Sequence, residues 1–374
     1  MKCRRCNEPD HPYGALFCHM CGTILEQSTN KPIKTTEKLQ LNWAESFSEG
    51  FAFVVVGNKA GFIDKKGRFA IKPKFNIEGS YLFGRDYIKG FSNGLAIVSI
   101  GNDRKYGCID YSGNFVIQPK FDGIWPFAEG LAPILLDGGW GYIDTRGQMI
   151  IEPKYRGVSL FSEGLAAVSV GWRRDVFINK TGQIVLEKTR NLISDWEEGF
   201  PIRRAYFNWA SSFHDGLARV GFSKKHGYID KTGKFHRMKY DNIDDYSEGL
   251  AAFAVEDYSR SGYIDRNFNV VIAPQFIGTS PFHNGLAVVK QGKHVGYIDK
   301  TGRMVIPCQF DNASPFNDGL AAVEINKKIG YIDFSGKIVI PPRYNSARKF
   351  SEGLAAVEES GEWRFIDKSG KYVF

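Results

Sequence analysis

Four cysteines carry the clearest chemistry in this chain. Cys3-x-x-Cys6 and Cys18-x-x-Cys21 are two pairs separated by eleven residues. Two such pairs can close on one Zn²⁺ as a tetrahedron of thiolates, with sulfur about 2.3 Å from the metal. All four positions are then filled by protein, so no site stays open for water or substrate, and the metal is structural. A segment of roughly twenty residues buries no core of its own, so metal binding must supply its folding energy. Gly22 lets backbone amides approach the second pair. His11 and His19 are surplus to four thiolates and are expected to be exposed. A redox-active pair is the alternative use of this spacing. The other two cysteines, Cys108 and Cys308, stand alone inside repeated phrases and read as substituted repeat positions rather than nucleophiles.

Carboxylates are the second candidate chemistry. Asp64, Asp110, Asp144, Asp230, Asp265, Asp299, Asp333 and Asp367 each follow an isoleucine, and all but Asp265 precede x-x-Gly. Catalysis or calcium binding would need that acid in every copy that works. Asn179 replaces it once, which a turn cap tolerates and a general acid does not, so capping is expected. A second acidic slot precedes Gly-Leu-Ala: Glu49, Glu129, Glu163, Asp215, Glu248, Asp318 and Glu352, with Asn93 and Asn284 in the same place. That variation suits a hydrogen-bonding corner. Tyr142, Tyr228, Tyr263, Tyr297 and Tyr331 recur in register and read as seam residues, with an exposed ladder for sugars or peptides as the other use. No zinc-protease, nucleophile-elbow or phosphate-loop motif occurs, so the chain is not expected to be an enzyme.

The elements that carry these residues are repeats. An aromatic residue, two mostly polar residues and Gly-Leu-Ala, or a near copy, begin at Phe47, Phe91, Phe127, Phe161, Phe213, Tyr246, Phe282, Phe316 and Phe350. Each is followed by Gly-Tyr-Ile-Asp-x-x-Gly or a variant, and often by apolar-Ile-x-Pro-x-aromatic. Self-similarity at such a period marks a repeat architecture. In the unit at Phe316 the spacing predicts a strand over Leu320–Ile325, a tight turn at Lys327-Lys328, a strand over Gly330–Asp333, and a third over Lys337–Ile340 stopped by Pro341-Pro342. The unit is thus a three-stranded antiparallel meander. Leu-Ala-Ala-Val is apolar on both faces, so each sheet must be covered by its neighbours.

The expected organisation is a zinc ribbon over 1–26, a flexible polar linker over 27–40, and an all-β repeat array over 41–374 with irregular insertions near 76–90 and 187–212. Within the second insertion Trp196-Glu-Glu-Gly-Phe reads as a degenerate copy of the first phrase. Nine short units exceed the usual four to eight propeller blades, which favours an open, curved β-array. Against that, the array starts with the back part of a unit (Leu41–Phe47) and reaches Phe374 inside a third phrase, and such permuted ends allow propeller-like closure as the alternative.

The net charge of +8 is spread thinly, with local clusters at Arg173-Arg174, Arg203-Arg204 and Lys224-Lys225-His226. A nucleic-acid track normally shows a dense stripe, so solvated surface is the simpler reading. No apolar run approaches the roughly 20 residues of a membrane span, and no apolar stretch follows the charged Met1–Cys6, so a cytoplasmic location is expected. Specificity is expected in the irregular segment, where Trp196, Arg203, Arg204, Tyr206 and Trp209 concentrate the residue types of binding hot spots.

Residues 3 to 22, with Phe17–Gly22 reading Phe-Cys-x-x-Cys-Gly, resemble the short zinc ribbons at the N-termini of many bacterial proteins. Residues 41 to 374 resemble the WG (KWG) repeats of bacterial proteins, which combine an EGLA-type phrase with a GYID-type hairpin. The tryptophan survives before the hairpin at Trp140 and Trp363 and is replaced elsewhere. The resemblance implies a β-repeat binding scaffold with no common catalytic residue. The expected function is a non-catalytic interaction scaffold for protein partners, a zinc knob tethered to a β-surface. A nucleic-acid- or glycan-binding protein using basic and aromatic surfaces is the alternative.

Overall fold

The computed structural model describes residues 40–77, 90–100, 105–172, 174–187, 207–222, 225–240, 242–255 and 260–374. Cys3, Cys6, Cys18 and Cys21, linker residues 27–39, and Trp196, Arg203, Arg204 and Tyr206 lie outside them. The described chain is all β: nine consecutive antiparallel sheets, numbered here as blades 1 to 9 in chain order.

Blade 8 shows how the sequence builds a unit. Ala321–Ile325 and Lys328–Ile332 form the central hairpin, and Ile338–Tyr344 pairs with the latter. The pair Asn326–Lys327 takes positive φ at both residues, the geometry of the hairpin turns that follow strand twist. Two expectations are corrected. First, the unit has a fourth strand, the two-residue Asn312–Ala313 ahead of the aromatic Phe316, paired to Ala321–Ile325. Second, Pro341-Pro342 does not stop the third strand. That strand lies at the sheet edge, where a missing N–H is harmless, and its register shifts between Ile329↔Tyr344 and Tyr331↔Ile340. The edge strand is buried at Ile340 and Tyr344 and exposed between them.

The leading expectation of an open array is overturned: the nine sheets close into a β-propeller. Blade 9 meets blade 1 through contacts that recur at other seams. Leu41 bridges Trp363, the Trp363 amide donating to the Leu41 carbonyl at 3.2 Å. The Ser351 hydroxyl donates to the Phe47 carbonyl at 2.7 Å, as Ser48 does to Phe91 and Ser247 to Phe282. One core cluster runs from Phe47 and Ala52 of blade 1 to Ala356 and Phe365 of blade 9. Small residues make nine blades fit. Ala52, Ala132, Ala218, Ala321 and Ala355 are buried to 1% exposure or less, so neighbouring sheets approach closely.

The described residues on either side of 188–206 belong to two blades. Asp175 of blade 4 bridges Phe207, its amide donating to the Phe207 carbonyl at 2.8 Å. Phe207 thereby fills the place that Tyr155 takes opposite Trp140 in blade 3. Blade 4 is complete with Phe207, and Trp209–Ala210 already opens blade 5. Residues 188–206, with the degenerate phrase at Trp196–Phe200, lie outside the described residues, between Leu186 and Phe207 in the sequence.

Candidate interaction surface

The recurring polar residues are nearly all consumed by the frame. Each Ile-Asp aspartate caps its own turn: Asp333 Oδ1 accepts the amides of Ser335 and Lys337 at 2.9 and 3.1 Å, and Asn179 Oδ1 does the same for Thr181 and Gln183. The tyrosines form no exposed ladder. Tyr142, Tyr228, Tyr263, Tyr297 and Tyr331 are buried, and each hydroxyl donates across the seam to a carbonyl of the next blade, at Ser159, Asp244, Ser280, Ser314 and Arg348. Burial pushes these phenols far up. The Cys108 thiol occupies the same slot in blade 2 and is pushed up to about 12 by burial.

The acidic corners form a belt around the ring. Glu352 and Gly353 occupy the two positive-φ positions of a tight hairpin turn, at φ 55° and 88°. Asn is the easier residue there, so the prevalence of Glu points to its reach. Its carboxylate accepts the Gly50 amide of the next blade at 3.1 Å and pairs with Lys65 Nζ of that blade at 2.8 Å. Glu129, Glu163 and Glu248 repeat this with Gly164 and Lys180, Gly216 and Lys231, and Gly285 and Lys300. Asp318 does so with Gly353 and Lys368. Tyr111 answers Glu49 instead, and Arg266 lies against the Gly216 of the Asp215 corner. Where the corner is Asn93 or Asn284, the residue in the lysine's slot of the next blade is Thr145 or Phe334. Acid and partner change together from seam to seam.

For Glu129, Glu163, Glu248 and Glu352 burial alone would raise the carboxyl. The lysine and the glycine amide outweigh it and hold each group below the usual range. A folded-state pKa below the unfolded value of about 4.3 stabilises the fold above that value, and the contribution fades as pH falls through the folded value. Denaturant midpoints should therefore be flat from pH 7 to about 5 and fall below about 4. A Glu129→Gln/Glu163→Gln/Glu248→Gln variant should start lower and fall less steeply.

Among the exposed side chains, several aromatics depart from the repeat. Trp209, the one described member of the sequence-predicted cluster, is 43% exposed, and its indole lies across Gly221. Trp172, on the hairpin of the adjoining blade 4, is 82% exposed. It went unremarked in the sequence, although Gly171-Trp172 at a hairpin tip is a legible signal. Phe334 is 46% exposed and stacks on Phe316 at 4.3 Å. Arg219 stands where the sister blades place an apolar residue, such as Ala252 or Ala322. It grips Asp245 at 2.7 and 3.1 Å and the Ile243 carbonyl at 2.9 Å. Beside it Asp244 takes the slot of Ser280 and Ser314. Burial lifts the Asp244 carboxyl above its usual range; Arg219 pulls the other way, and Asp245 adds to the rise. Lys74, Lys120, Lys154 and Lys239 lie 5.1 to 5.4 Å over the rings of the adjacent Phe75, Phe121, Tyr155 and Tyr240. No helix among the described residues is long and apolar enough to cross a membrane.

Comparison with family models matches the WG containing repeat at residues 38–59, 61–76, 86–102, 106–140, 140–171, 237–258, 262–293, 296–328 and 329–363. A search of curated proteins finds no match. Among solved structures, the chain is similar to a eukaryotic initiation factor (14% identity, TM-score 0.49, covering 72% of this chain and 81% of that one). It is also similar to the computationally designed Ika8 protein (12%, 0.42, 74% and 94%). A third is virginiamycin B lyase from Staphylococcus aureus (13%, 0.35, 71% and 96%).

Proposed function

The chain belongs to the WG-containing repeat family, and from that premise we propose that it is a non-catalytic interaction scaffold for protein partners. One observation carries the reading. Among the described residues the repeated acids and tyrosines are bound into turns and seams, while the exposed aromatics Trp172, Trp209 and Phe334 stand where most sister blades have another residue type. Trp172 and Trp209 sit on adjoining blades, to either side of residues 188–206 in the sequence. Large, stiff aromatics supply much of the energy in protein interfaces. The glycan alternative loses its tyrosine ladder to the seams, and the lysines braced on neighbouring rings read first as packing.

A photo-cross-linking residue placed at Trp172 or Trp209 in the protein's own host should capture a discrete protein adduct, and one placed at Val339 should not. Equal capture from all three positions, or none, would sink the reading. A nucleic-acid adduct would replace it with the alternative.

The cysteine pairs complete the proposal. Cys3, Cys6, Cys18 and Cys21 hold one structural Zn²⁺, the support being their spacing and number. Thiolate ligation suits a reducing compartment such as the cytoplasm. Native mass spectrometry of the full chain should show one zinc that a chelator or Cys18→Ser removes. A zinc-free chain two hydrogens lighter, with a disulfide, would overturn it.

A further inference from the structure

Between blades 6 and 7 lies a cleft of about 210 Å³ lined by Asn242, Asp244, Phe253, Ser261, Ile277 and Thr279 among others. That is below the roughly 300–1,000 Å³ of small-molecule pockets and suits one long side chain. Its chemistry is asymmetric. Asn242, Ser261 and Thr279 offer oxygen acceptors, Phe253 and Ile277 offer apolar wall, and Asp244 contributes the charge. The Asp244 carboxylate makes no hydrogen bond or ion pair among the described residues. Arg219 comes from blade 5, on the other side, and is already committed to Asp245 and the Ile243 carbonyl.

The repeat provides an internal control. Two blades place an acid two residues before the phrase aromatic: blade 6 with Asp244 and blade 1 with Glu45. Glu45 is answered by a guanidinium, Arg348 of blade 9, at 3.1 Å, with that cation 4.4 Å over the Trp43 ring. In the corresponding slots beside Asp244 stand Ser211 and Ser280, which carry no charge. Sister blades 4, 5, 7 and 8 use serine here to accept an amide of their own central strand, as Ser280 Oγ accepts from Val288 at 2.9 Å. Asp244 has given up that structural contact and gained no ion pair among the described residues in exchange.

We propose that this cleft receives a cationic side chain, the ammonium of a lysine or the guanidinium of an arginine projecting from a protein partner, against the Asp244 carboxylate. The methylene stem lies along Phe253 and Ile277, and the head donates to Asp244 and the neighbouring oxygens. The inference rests on the scaffold reading for its partner, and on the cleft alone for its chemistry.

The test is NMR titration of the full chain with the amides of Nα-acetyl-lysine, Nα-acetyl-arginine and, as a neutral control, Nα-acetyl-norleucine. The two cations should shift the amides of Ser261, Thr279 and Phe253, and Asp244→Asn should weaken them by about 10-fold or more. The Asp244 carbonyl that holds Tyr228 is untouched by that change. Should Asp244→Asn fail to fold, Ile277→Trp fills the cleft from a position that is 50% exposed and must also abolish the shifts. Equal shifts with norleucine, or shifts indifferent to both variants, would overturn the proposal. Asp244-dependent shifts with Ca²⁺ or Mn²⁺, and none with lysine or arginine, would replace it with a metal site. Cation binding here, with no adduct from Trp172 or Trp209, would instead leave the cleft standing and remove the scaffold.

Discussion

Replacing Gly330 with alanine should cost the fold about 3 kcal/mol or more, because the added carbon meets backbone that cannot move aside. A Cβ there would lie 2.7 Å from the Pro342 nitrogen and 2.9 Å from the Pro341 carbonyl carbon, and closer still to the Ile340 carbonyl oxygen. The register shift of the edge strand presses those atoms against the hairpin. Gly61, Gly107, Gly141, Gly262 and Gly296 meet the same obstruction, which explains the glycine of the second phrase without recourse to chemistry. Gly171 is the control: a Cβ there would meet only the Arg174 Cβ, at 4.0 Å, so Gly171→Ala should change stability by less than about 0.5 kcal/mol. Denaturant unfolding of the two variants decides the matter, and equal losses would show that the bulge relaxes.

Arg348→Ala should open the ring. At the closing seam Arg348 donates to the Ala44 carbonyl at 3.3 Å and to Glu45 at 3.1 Å, and it lies 4.4 and 5.0 Å over the rings of Trp43 and Trp363. Truncation leaves a carboxylate whose side chain is 13% exposed with the Trp43 indole N–H, at 2.8 Å, in place of an ion pair, and removes a cation shared by two indoles. The combined loss is about 2–3 kcal/mol. It falls on the seam where Leu41, from the start of the array, meets Trp363 of the last blade, so the ends can part while other blades stay paired. Small-angle scattering should show a larger radius of gyration at temperatures where the parent ring is closed. Lys105→Ala, which removes an exposed pair with Asp122, should cost less than about 1 kcal/mol and leave the ring shut. An unchanged radius for Arg348→Ala would show that Ser351, Glu352 and the Phe47–Phe365 contact suffice.

The repeating unit was legible in the sequence because its signals are local. The period-two apolar pattern, the Asp-x-x-Gly cap and the Gly-Leu-Ala corner each fix backbone within a few residues, and the structure places strands and turns there. The single Asn179 was enough to separate capping from catalysis. Trp172, Arg219 and Asp244 were present as departures from the repeat. Their significance depends on what the neighbouring blade puts opposite them, and no one-dimensional spacing supplies that.

What the sequence determined by itself was the unit: nine phrases, nine turn caps, alternating burial and glycines where backbone must pass. Tertiary structure decided closure. Whether nine sheets curl into a ring or stay open depends on the small angle between neighbours, set by alanine contacts and by the acid–glycine–lysine belt, and summed over nine seams. It also decided the tyrosines, which pack as rivets because each hydroxyl finds a carbonyl one blade away. The two-residue fourth strand arises in the same way, since Asn312–Ala313 becomes a strand only when Ala321–Ile325 lies beside it. Local propensity writes the blade, and contacts between blades write the ring.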